Sequence, residues 1–401
     1  MPPPLRALFF SHDRRGLGHI RRTLALADNL LDHMQHCTVM VVTGSRMAHA
    51  FRMRPRLDYV KLPSVATFAG GVLASGTLDV PHDEILKIRE ELLLQTTRLF
   101  QPDVLLLGSP PLTEYCEITR TVAYVRANMP QTAIVLNLRD IPDDPARADE
   151  LWGRQSVQDM LEKNYDRILV HGSRCVYDLP KEYGFTDKIS SKTFFCGYVP
   201  RSCNPVSGEV IRRKLCSPDH KLLVLTVGGG VDGSPLIEQC LAAVSSDSAL
   251  NEVHTLAILG PDMPLAHSAT LRVKYANNTN ISFLDFVEPA SDYFAAADVI
   301  ISMGGYNTLC EISALRKCVI VIPRVHQSTE QFVRARRFAD LGLVQMLHPD
   351  EAAPVRIAAA IVDAIRQPWV PSQSLEFGDG ATFARMVQEI ATSRNVKGAW
   401  A

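Results

Sequence analysis

The sequence predicts an α/β protein with two parallel sheets, each covered by helices on both faces. Short apolar stretches alternate with helical stretches along the chain, which is typical of parallel sheets. The alternation breaks once, around residues 197–217, and then starts again. A glycine-rich loop follows the first predicted strand of each half, at residues 16–19 and 228–233. The 401 residues are enough for two domains of ordinary size.

The composition narrows the class of protein. With 46% hydrophobic and 21% charged residues, the chain is expected to be soluble and globular. The 42 basic and 43 acidic residues give no basic excess, so nucleic-acid binding is not expected. No apolar run approaches the roughly 20 residues that cross a bilayer. The start of the chain, with three prolines before a strand, does not resemble a signal peptide.

The nine cysteines are scattered and show no C-x-x-C spacing. This pattern favours reduced thiols in a cytoplasmic protein and argues against a structural zinc site. No metal or other cofactor is expected.

The first half opens with a strand at residues 5–10 and a helix with one apolar stripe. The stripe consists of Ile20, Leu24, Ala27, Leu31 and Met34. Further strands are predicted at residues 37–42, 58–62, 103–107, 133–138 and 167–171. Helices are predicted between the later strands at residues 83–100, 113–128 and 149–164.

Ligands of such sheets bind outside the carboxyl ends of the strands. In the first half these ends lead into loops at residues 11–19, 63–80, 108–111 and 139–145. The loop at 63–80 is long, rich in small residues and uncharged until Asp79. It fits an exposed flexible loop as well as a lid over a ligand, and its apolar character leaves room for a lipid-like ligand.

The second half begins after a linker at residues 199–219, with a short helix near 209–215. Strands are predicted at residues 221–227, 255–259, 281–283, 299–302 and 318–322. Helices are predicted with Ser234 as N-cap and Pro235 at the first helical position, and at residues 291–297, 327–341, 353–365 and 381–394.

The stretch at residues 302–335 carries the strongest functional signal. Gly304 and Gly305 let a ligand approach the backbone closely, and a helix starting near Asn307 offers free N–H groups to an anion. Glu311 follows about one turn later, within reach of hydroxyl groups on that anion. A buried strand then ends at Pro323 and Arg324.

This order of residues resembles the donor-binding half of GT-B glycosyltransferases, in which two Rossmann-like domains face each other across a cleft. It is most similar to family 28, which includes the transferase that makes lipid II, and to uncharacterised bacterial relatives of that group. The resemblance extends over both halves of the chain. The residues that carry it are Gly304, Gly305, Glu311, Pro323, His326, Glu330, Gln331 and Ala335.

The resemblance implies roles for individual residues. Glu311 would bond the ribose hydroxyls of the donor, and the backbone of Phe286 and Val287 would read a uridine base. Glu330 and Gln331 match a Gln-Gln pair that bonds the sugar, and Gln331 could instead form a capping box with Ser328. The remaining donor-binding candidates are Gly18, Gly304, Gly305, Asn307, Thr308, Arg324 and His326.

The loop at 228–233 allows two interpretations. Gly228, Gly230 and Gly233 fit the G-x-G-x-x-G pattern of dinucleotide-binding proteins. That pattern also needs an acidic residue at the end of the next strand, and Asp262 comes late, after a proline. In the transferase interpretation, Gly228, Gly229 and Gly230 bring backbone N–H groups to the donor diphosphate without a metal.

Two residues of the first half are candidate catalytic groups. His19 follows the first glycine loop, where it could act as general base or bond a phosphate. Asp140 could be the base, could orient His19, or could cap its own turn. His12 is a rival base, and Arg14, Arg15, Arg21 and Arg22 could help to hold an anion.

The sequence thus predicts a metal-independent, inverting transferase that uses a nucleoside-diphosphate sugar, expected to be UDP-linked, and a small-molecule or lipid-linked acceptor. The expected domains are 1–198 for the acceptor, 220–370 for the donor, and 371–401 with a helix that crosses back. A non-hydrolysing sugar-nucleotide 2-epimerase and a catalytically silent sugar-nucleotide-binding subunit remain alternatives. The sequence names neither the acceptor nor an oligomeric state, and it allows peripheral membrane contact.

Overall fold

A computed structural model describes residues 4–11, 17–67, 73–108, 116–142, 152–200, 204–325, 328–371 and 373–398. The chain forms two compact units. The first comprises Met1–Val199 together with Glu376–Ala401, and the second is Pro200–Leu375. No helix among the described residues is long and apolar enough to cross a membrane.

The first unit contains a parallel sheet of seven strands in the order β3-β2-β1-β6-β7-β8-β9. Its strands are β1 Leu5–Ser11, β2 Cys37–Thr43, β3 Leu57–Lys61, β6 Val104–Leu107, β7 Ala133–Arg139, β8 Arg167–His171 and β9 Thr193–Phe195. The short strands β4 Val65–Thr67 and β5 Leu73–Ser75 pair separately as an antiparallel hairpin. All four residues of β6 are fully buried, as expected of a strand with helices on both faces.

Helices of the first unit connect these strands. Those of eight residues or more are α1 Gly18–His33, α2 His82–Phe100, α3 Thr119–Asn128, α4 Gln155–Asn164 and the C-terminal helix Gly380–Gly398. Four of the five residues in the predicted apolar stripe of α1 are buried, and Met34 is partly exposed beyond the helix end. The C-terminal helix packs against α1, and Arg394 Nε lies 2.9 Å from Asp166 Oδ1.

The second unit contains a parallel sheet of six strands in the order β12-β11-β10-β13-β14-β15. Its strands are β10 Lys221–Thr226, β11 Val253–Ile258, β12 Ile281–Leu284, β13 Val299–Ser302, β14 Cys318–Val321 and β15 Gln345–Met346. Its helices are Pro205–Leu215, Ser234–Ser246, Leu265–Lys274, Ala290–Ala296, Tyr306–Ala314, Glu330–Asp340 and Pro354–Arg366. The predicted α/β class with two parallel sheets is confirmed.

Several elements differ from the sequence prediction. The short helix expected near residues 209–215 is longer than predicted and spans the 11 residues Pro205–Leu215. Arg212 anchors this helix to the second unit, since its Nη1 lies 2.7 Å from Asp298 Oδ2. Ser234 is not an N-cap, because the helix already starts at Ser234 and Gly233 precedes it without a side-chain cap. Of the helix predicted at 113–128, residues 113–115 lie outside the described residues, and the α-helix Thr119–Asn128 follows a 3-10 turn at Cys116–Ile118.

Candidate functional site

The carboxyl ends of three neighbouring strands build the candidate site of the second unit. β13 pairs with β10 on one side and with β14 on the other, so the loops that follow these strands lie side by side. The loops contain the predicted residues Gly228–Gly230, Gly304 with Gly305, and Arg324. The structure therefore brings the main donor-binding candidates of the sequence to one edge of one sheet.

The loop after β10 is shaped by Gly230. Its φ is +92°, and a Cβ there would lie 2.3 Å from the Leu259 carbonyl oxygen, so a side chain has no space. Gly228 is exposed, and a Cβ at that position would meet nothing within 4 Å. Gly230 thus packs the loop against the end of β11, whereas Gly228 leaves its backbone open to a ligand.

The turn after β13 leads directly into the helix Tyr306–Ala314. The Gly304 N–H donates to Ser302 Oγ at 3.2 Å, and the φ of Gly304 is +81°. Gly305 is the residue before the helix, and a Cβ there would meet nothing within 4 Å. Among the described residues, no atom lies within 4 Å of a Cβ placed at Gly305, so the backbone there is open to the approach of an anion.

Glu311 lies in the second turn of the same helix and is only 3% exposed. Asn307 and Thr308, at its start, are partly exposed. A carboxylate held beneath an open helix start is well suited to accept hydrogen bonds from ligand hydroxyl groups. The position of Glu311 fits its predicted role, and its side chain is not turned to bulk solvent.

Glu330 has a different environment from the one that its resemblance implied. It is 6% exposed and its Oε2 lies 3.4 Å from Nη2 of Arg334, which is fully buried. Arg334 Nη1 also donates to the Gly304 carbonyl oxygen at 3.3 Å, and its guanidinium lies 5.8 Å from the centre of the Tyr306 ring. These contacts make Glu330 the counter-ion of a buried cation beneath the glycine turn.

Arg334 itself was missed by the sequence analysis. Its only signal is the i, i+4 spacing from Glu330, which is common on exposed helix surfaces and therefore does not indicate burial.

Gln331 connects the helix Glu330–Asp340 to the loop after β14. Its Oε1 accepts a hydrogen bond from the Arg324 N–H at 3.4 Å. The predicted capping box is wrong, because the N-cap residue is Thr329 and makes no side-chain cap bond. Arg324 Nη1 lies 2.8 Å from Asp232 Oδ2 in the glycine loop. His326 lies outside the described residues.

Phe286 and Val287 follow β12, at the same edge of the sheet as the glycine loops. Val287 is buried and Phe286 is partly exposed. Because β11 lies between β12 and β10, these residues sit two strands away from the loop at 228–233.

In the first unit, Gly18 and His19 form the start of α1, directly after the loop of β1. His19 is partly exposed, and its Nδ1 lies 3.5 Å from Nη2 of Arg22, which is only 4% exposed. A guanidinium only donates hydrogen bonds, so this contact makes Nδ1 the acceptor and leaves the proton of a neutral imidazole on Nε2. The geometry thus favours hydrogen-bond donation by His19.

Arg22 also acts on His171, which is fully buried at the end of β8. Burial and the positive charge of Arg22 lower the pKa of His171 to about 3. The His171 Nε2 is hydrogen-bonded to Asn137 Oδ1. Of the other candidates in this region, Arg21 is partly exposed, and His12, Arg14 and Arg15 lie outside the described residues.

Asp140 is 1% exposed and both of its carboxylate oxygens accept hydrogen bonds. The Ile141 N–H donates to Oδ1 at 2.7 Å, and the Tyr198 hydroxyl donates to Oδ2 at 3.1 Å. These bonds fit the turn-capping interpretation that the sequence left open. A carboxylate this deeply buried is poorly placed to meet an acceptor as a base.

Comparisons with known proteins agree with this geometry. Residues 224–375 match the glycosyltransferase family 28 C-terminal domain. A protein of Methanopyrus kandleri, described as an uncharacterised glycosyltransferase, is 29% identical over 181 residues, which are 45% of this chain and 48% of that protein. The UDP-N-acetylglucosamine–N-acetylmuramyl-(pentapeptide) pyrophosphoryl-undecaprenol N-acetylglucosamine transferase of Vibrio campbellii is 24% identical over 219 residues, which are 50% of this chain and 58% of that protein.

The chain thus spans about half the length of the curated relatives that it matches. The crystal structure of Acinetobacter baumannii MurG superposes with a TM-score of 0.56 at 12% identity, covering 98% of this chain and 99% of the other. The resemblance predicted from the motifs is confirmed. Residues 224–375 are thus similar to the glycosyltransferase family 28 C-terminal domain, and the chain has the GT-B fold.

Proposed function

We propose that this protein is a metal-independent, inverting glycosyltransferase that uses a UDP-sugar as donor. The acceptor would be a hydroxyl group of a small or lipid-linked molecule. The observation that carries the proposal is the pairing of a glycine turn, open at Gly305, with the buried carboxylate of Glu311 about one turn behind it. The turn suits a diphosphate, and the carboxylate suits the vicinal hydroxyls of a ribose.

The same arrangement accounts for catalysis without a metal. In the proposed reaction, the acceptor oxygen attacks the anomeric carbon and the nucleoside diphosphate leaves from the opposite face in one step. The leaving group gains negative charge, which backbone N–H groups at the two glycine loops and the positive end of the helix Tyr306–Ala314 stabilise. Arg324, at the end of β14, adds a cation at the same edge of the sheet.

The choice of a UDP-sugar is supported by the name of the Vibrio campbellii relative, which states UDP-N-acetylglucosamine as its donor and a lipid-linked acceptor. The position of Phe286 and Val287 after β12 supports the same choice.

A thermal-shift panel of UDP, GDP, dTDP, UDP-glucose and UDP-N-acetylglucosamine tests the donor assignment. A ligand at 100 times its dissociation constant adds about 2.7 kcal/mol of stability, which raises the melting temperature measurably. UDP and a UDP-sugar are expected to give the largest shifts. A shift with GDP or dTDP alone would refute the uridine assignment, and no shift with any member would refute the donor site.

Incubation with the donor alone separates the proposed transferase from an epimerase. A transferase leaves the sugar unchanged or releases it slowly by hydrolysis, whereas a 2-epimerase changes its configuration. A catalytically silent binding subunit would bind the donor but would transfer the sugar to none of the acceptors tested with the isolated protein.

A further inference from the structure

Arg324 and Asp232 form an ion pair that joins two loops of the candidate site. Arg324 follows β14, Asp232 lies in the glycine loop after β10, and Nη1 and Oδ2 are 2.8 Å apart. The two side chains are 18% and 30% exposed. The pair is thus shielded enough to be stronger than a typical surface salt bridge, yet a ligand can still reach it.

The strand order determines where the contact between Arg324 and Asp232 lies. β13 lies between β10 and β14, and neighbouring strands are about 4.8 Å apart, so the two loops start about 10 Å from each other. A contact between them has to pass the end of β13, where Gly304 and Gly305 begin the helix Tyr306–Ala314. The guanidinium and the carboxylate therefore lie beside the open glycine turn.

The positive charges beside the glycine turn favour a bound anion. The start of the helix carries a positive partial charge, and the guanidinium of Arg324 adds a full positive charge next to it. Asp232 supplies the negative charge in the ligand-free protein. In addition, the Nε–H of Arg324 is buried and has no hydrogen-bond partner among the residues that the structure describes. Arg324 thus has an unused donor available for a second acceptor.

We propose that the Asp232–Arg324 pair is an exchangeable latch. In the ligand-free protein Asp232 holds Arg324 across the glycine turn, and an anionic oxygen of the bound donor replaces Asp232 at the guanidinium. This inference rests on the proposed function of the site. No covalent bond changes in the exchange, since one charge-assisted hydrogen bond is replaced by another. Asp232 therefore competes with the donor, and removing its charge strengthens donor binding.

Titration calorimetry of the full-length protein with UDP tests the latch. We expect Asp232→Asn and Asp232→Ser to bind UDP about three- to tenfold more tightly than the wild type, because the competing carboxylate is lost. Arg324→Gln should bind UDP at least tenfold more weakly, since a charge-assisted bond is removed. Glu238→Gln is the matched control, because it removes an exposed carboxylate from the helix after the same loop and should leave the affinity within twofold.

A second set of titrations identifies the oxygen that Arg324 binds. If it is a phosphate oxygen, Arg324→Gln weakens UDP, UDP-glucose and UDP-glucuronate by a similar factor. Weakening of UDP-glucuronate alone would instead place Arg324 against the sugar, and it would refute the exchange of Asp232 for the diphosphate.

The outcomes distinguish the latch from the proposed function. If the wild type binds UDP and the two Asp232 variants bind it no more tightly, or more weakly, the latch is refuted and the donor site stands. Tighter binding by both Asp232 variants, with unchanged melting temperatures without ligand, supports it. If no variant binds any nucleoside diphosphate, the latch and the proposed function are both refuted.

Discussion

Glu311 is the single residue on which the proposed donor site depends most. Its carboxylate is 3% exposed, and Glu311→Gln keeps the shape of the side chain but removes its charge. Because bonds from hydroxyls to a carboxylate are stronger than those to an amide, we expect UDP affinity to fall by about tenfold or more. The wild type should also bind UDP more tightly than dUDP, and this preference should shrink in the variant. Titration calorimetry measures both.

The control for this substitution is Glu351→Gln, which removes an exposed carboxylate from the same unit. An unchanged preference for UDP over dUDP in Glu311→Gln would show that Glu311 does not contact the ribose.

Substitutions of His19 distinguish two roles for its side chain, a hydrogen-bond donor to an anion and a general base. The contact with Arg22 indicates that the His19 Nε2–H donates to an anion. A glutamine side chain can then replace His19, because the amide nitrogen of glutamine also donates. We expect His19→Ala to lower kcat by about a hundredfold or more and His19→Gln to keep most of the activity. Steady-state kinetics with the same donor and acceptor compare the two. Equal loss in both variants would instead identify His19 as the base.

For single residues, the sequence predicted those with a fixed local signal, but it did not predict which charged side chains are buried by packing. Glu311 follows a glycine turn at a characteristic distance, so its place in the site was predictable. Arg22 and Arg334 stand in ordinary amphipathic helices, where charged residues are usually exposed. Their burial depends on which elements cover the helix, and neither spacing nor composition contains that information.

At the scale of elements, the pair of Glu330 and Arg334 ties one helix to the glycine turn of another. Arg334→Met leaves the carboxylate of Glu330 buried without its cation, which should cost about 3–5 kcal/mol of unfolding free energy. The double variant Glu330→Gln/Arg334→Met removes both charges and should lose less than the sum of the single variants. Urea denaturation of the four proteins measures this coupling.

The control for this cycle is Arg336→Met on the same helix, where the arginine is exposed and the cost should stay below about 0.5 kcal/mol. Additive losses in the double variant would show that Glu330 and Arg334 do not stabilise each other.

The ends of elements were predicted less well than their existence. The sequence placed the start of the second-unit helix at residue 327, with Ser328 and Gln331 as a capping box, and the helix begins at Glu330. Gln331 instead bonds the backbone of Arg324, which lies on a different loop. A side chain that has a tertiary partner does not cap its own helix, and single-sequence patterns do not show such partners.

For the whole molecule, the buried His171 predicts how stability depends on pH. Its folded-state pKa is about 3, against about 6.5 in an unfolded chain. As the pH falls below 6.5, His171 becomes protonated in the unfolded state but stays neutral in the folded state. The free energy of unfolding therefore decreases. The loss is about 1.4 kcal/mol per pH unit, or about 2 kcal/mol at pH 5.

His171→Gln keeps a donor for Asn137 and does not titrate, so its unfolding free energy should fall by about 2 kcal/mol less than that of the wild type between pH 7 and pH 5. Denaturation at both pH values measures the difference. His36→Gln, at an exposed position, should behave as the wild type does. Parallel pH dependence in all three proteins would show that His171 is not buried in its neutral form.

The class of fold was predictable because strands and helices alternate along the chain in two successive series. Parallel strands such as β6 and β14 are continuous apolar runs, and the glycine loops mark where each sheet begins. The short strands β9 and β15 and the helix Leu265–Lys274 escaped prediction, because two or three residues give no period and this helix has few buried positions.

The chain order of the first unit has a consequence for protein synthesis. Its last helix packs against its first, and Arg394 and Glu376 bond Asp166 and Ser173, yet 176 residues of the second unit are made in between. While the ribosome is still translating, the first unit lacks this helix, and part of its apolar surface is uncovered. The second unit is continuous in the chain and can fold earlier. A stop codon at position 376 would therefore leave the second unit whole and the first one exposed to chaperones and proteases.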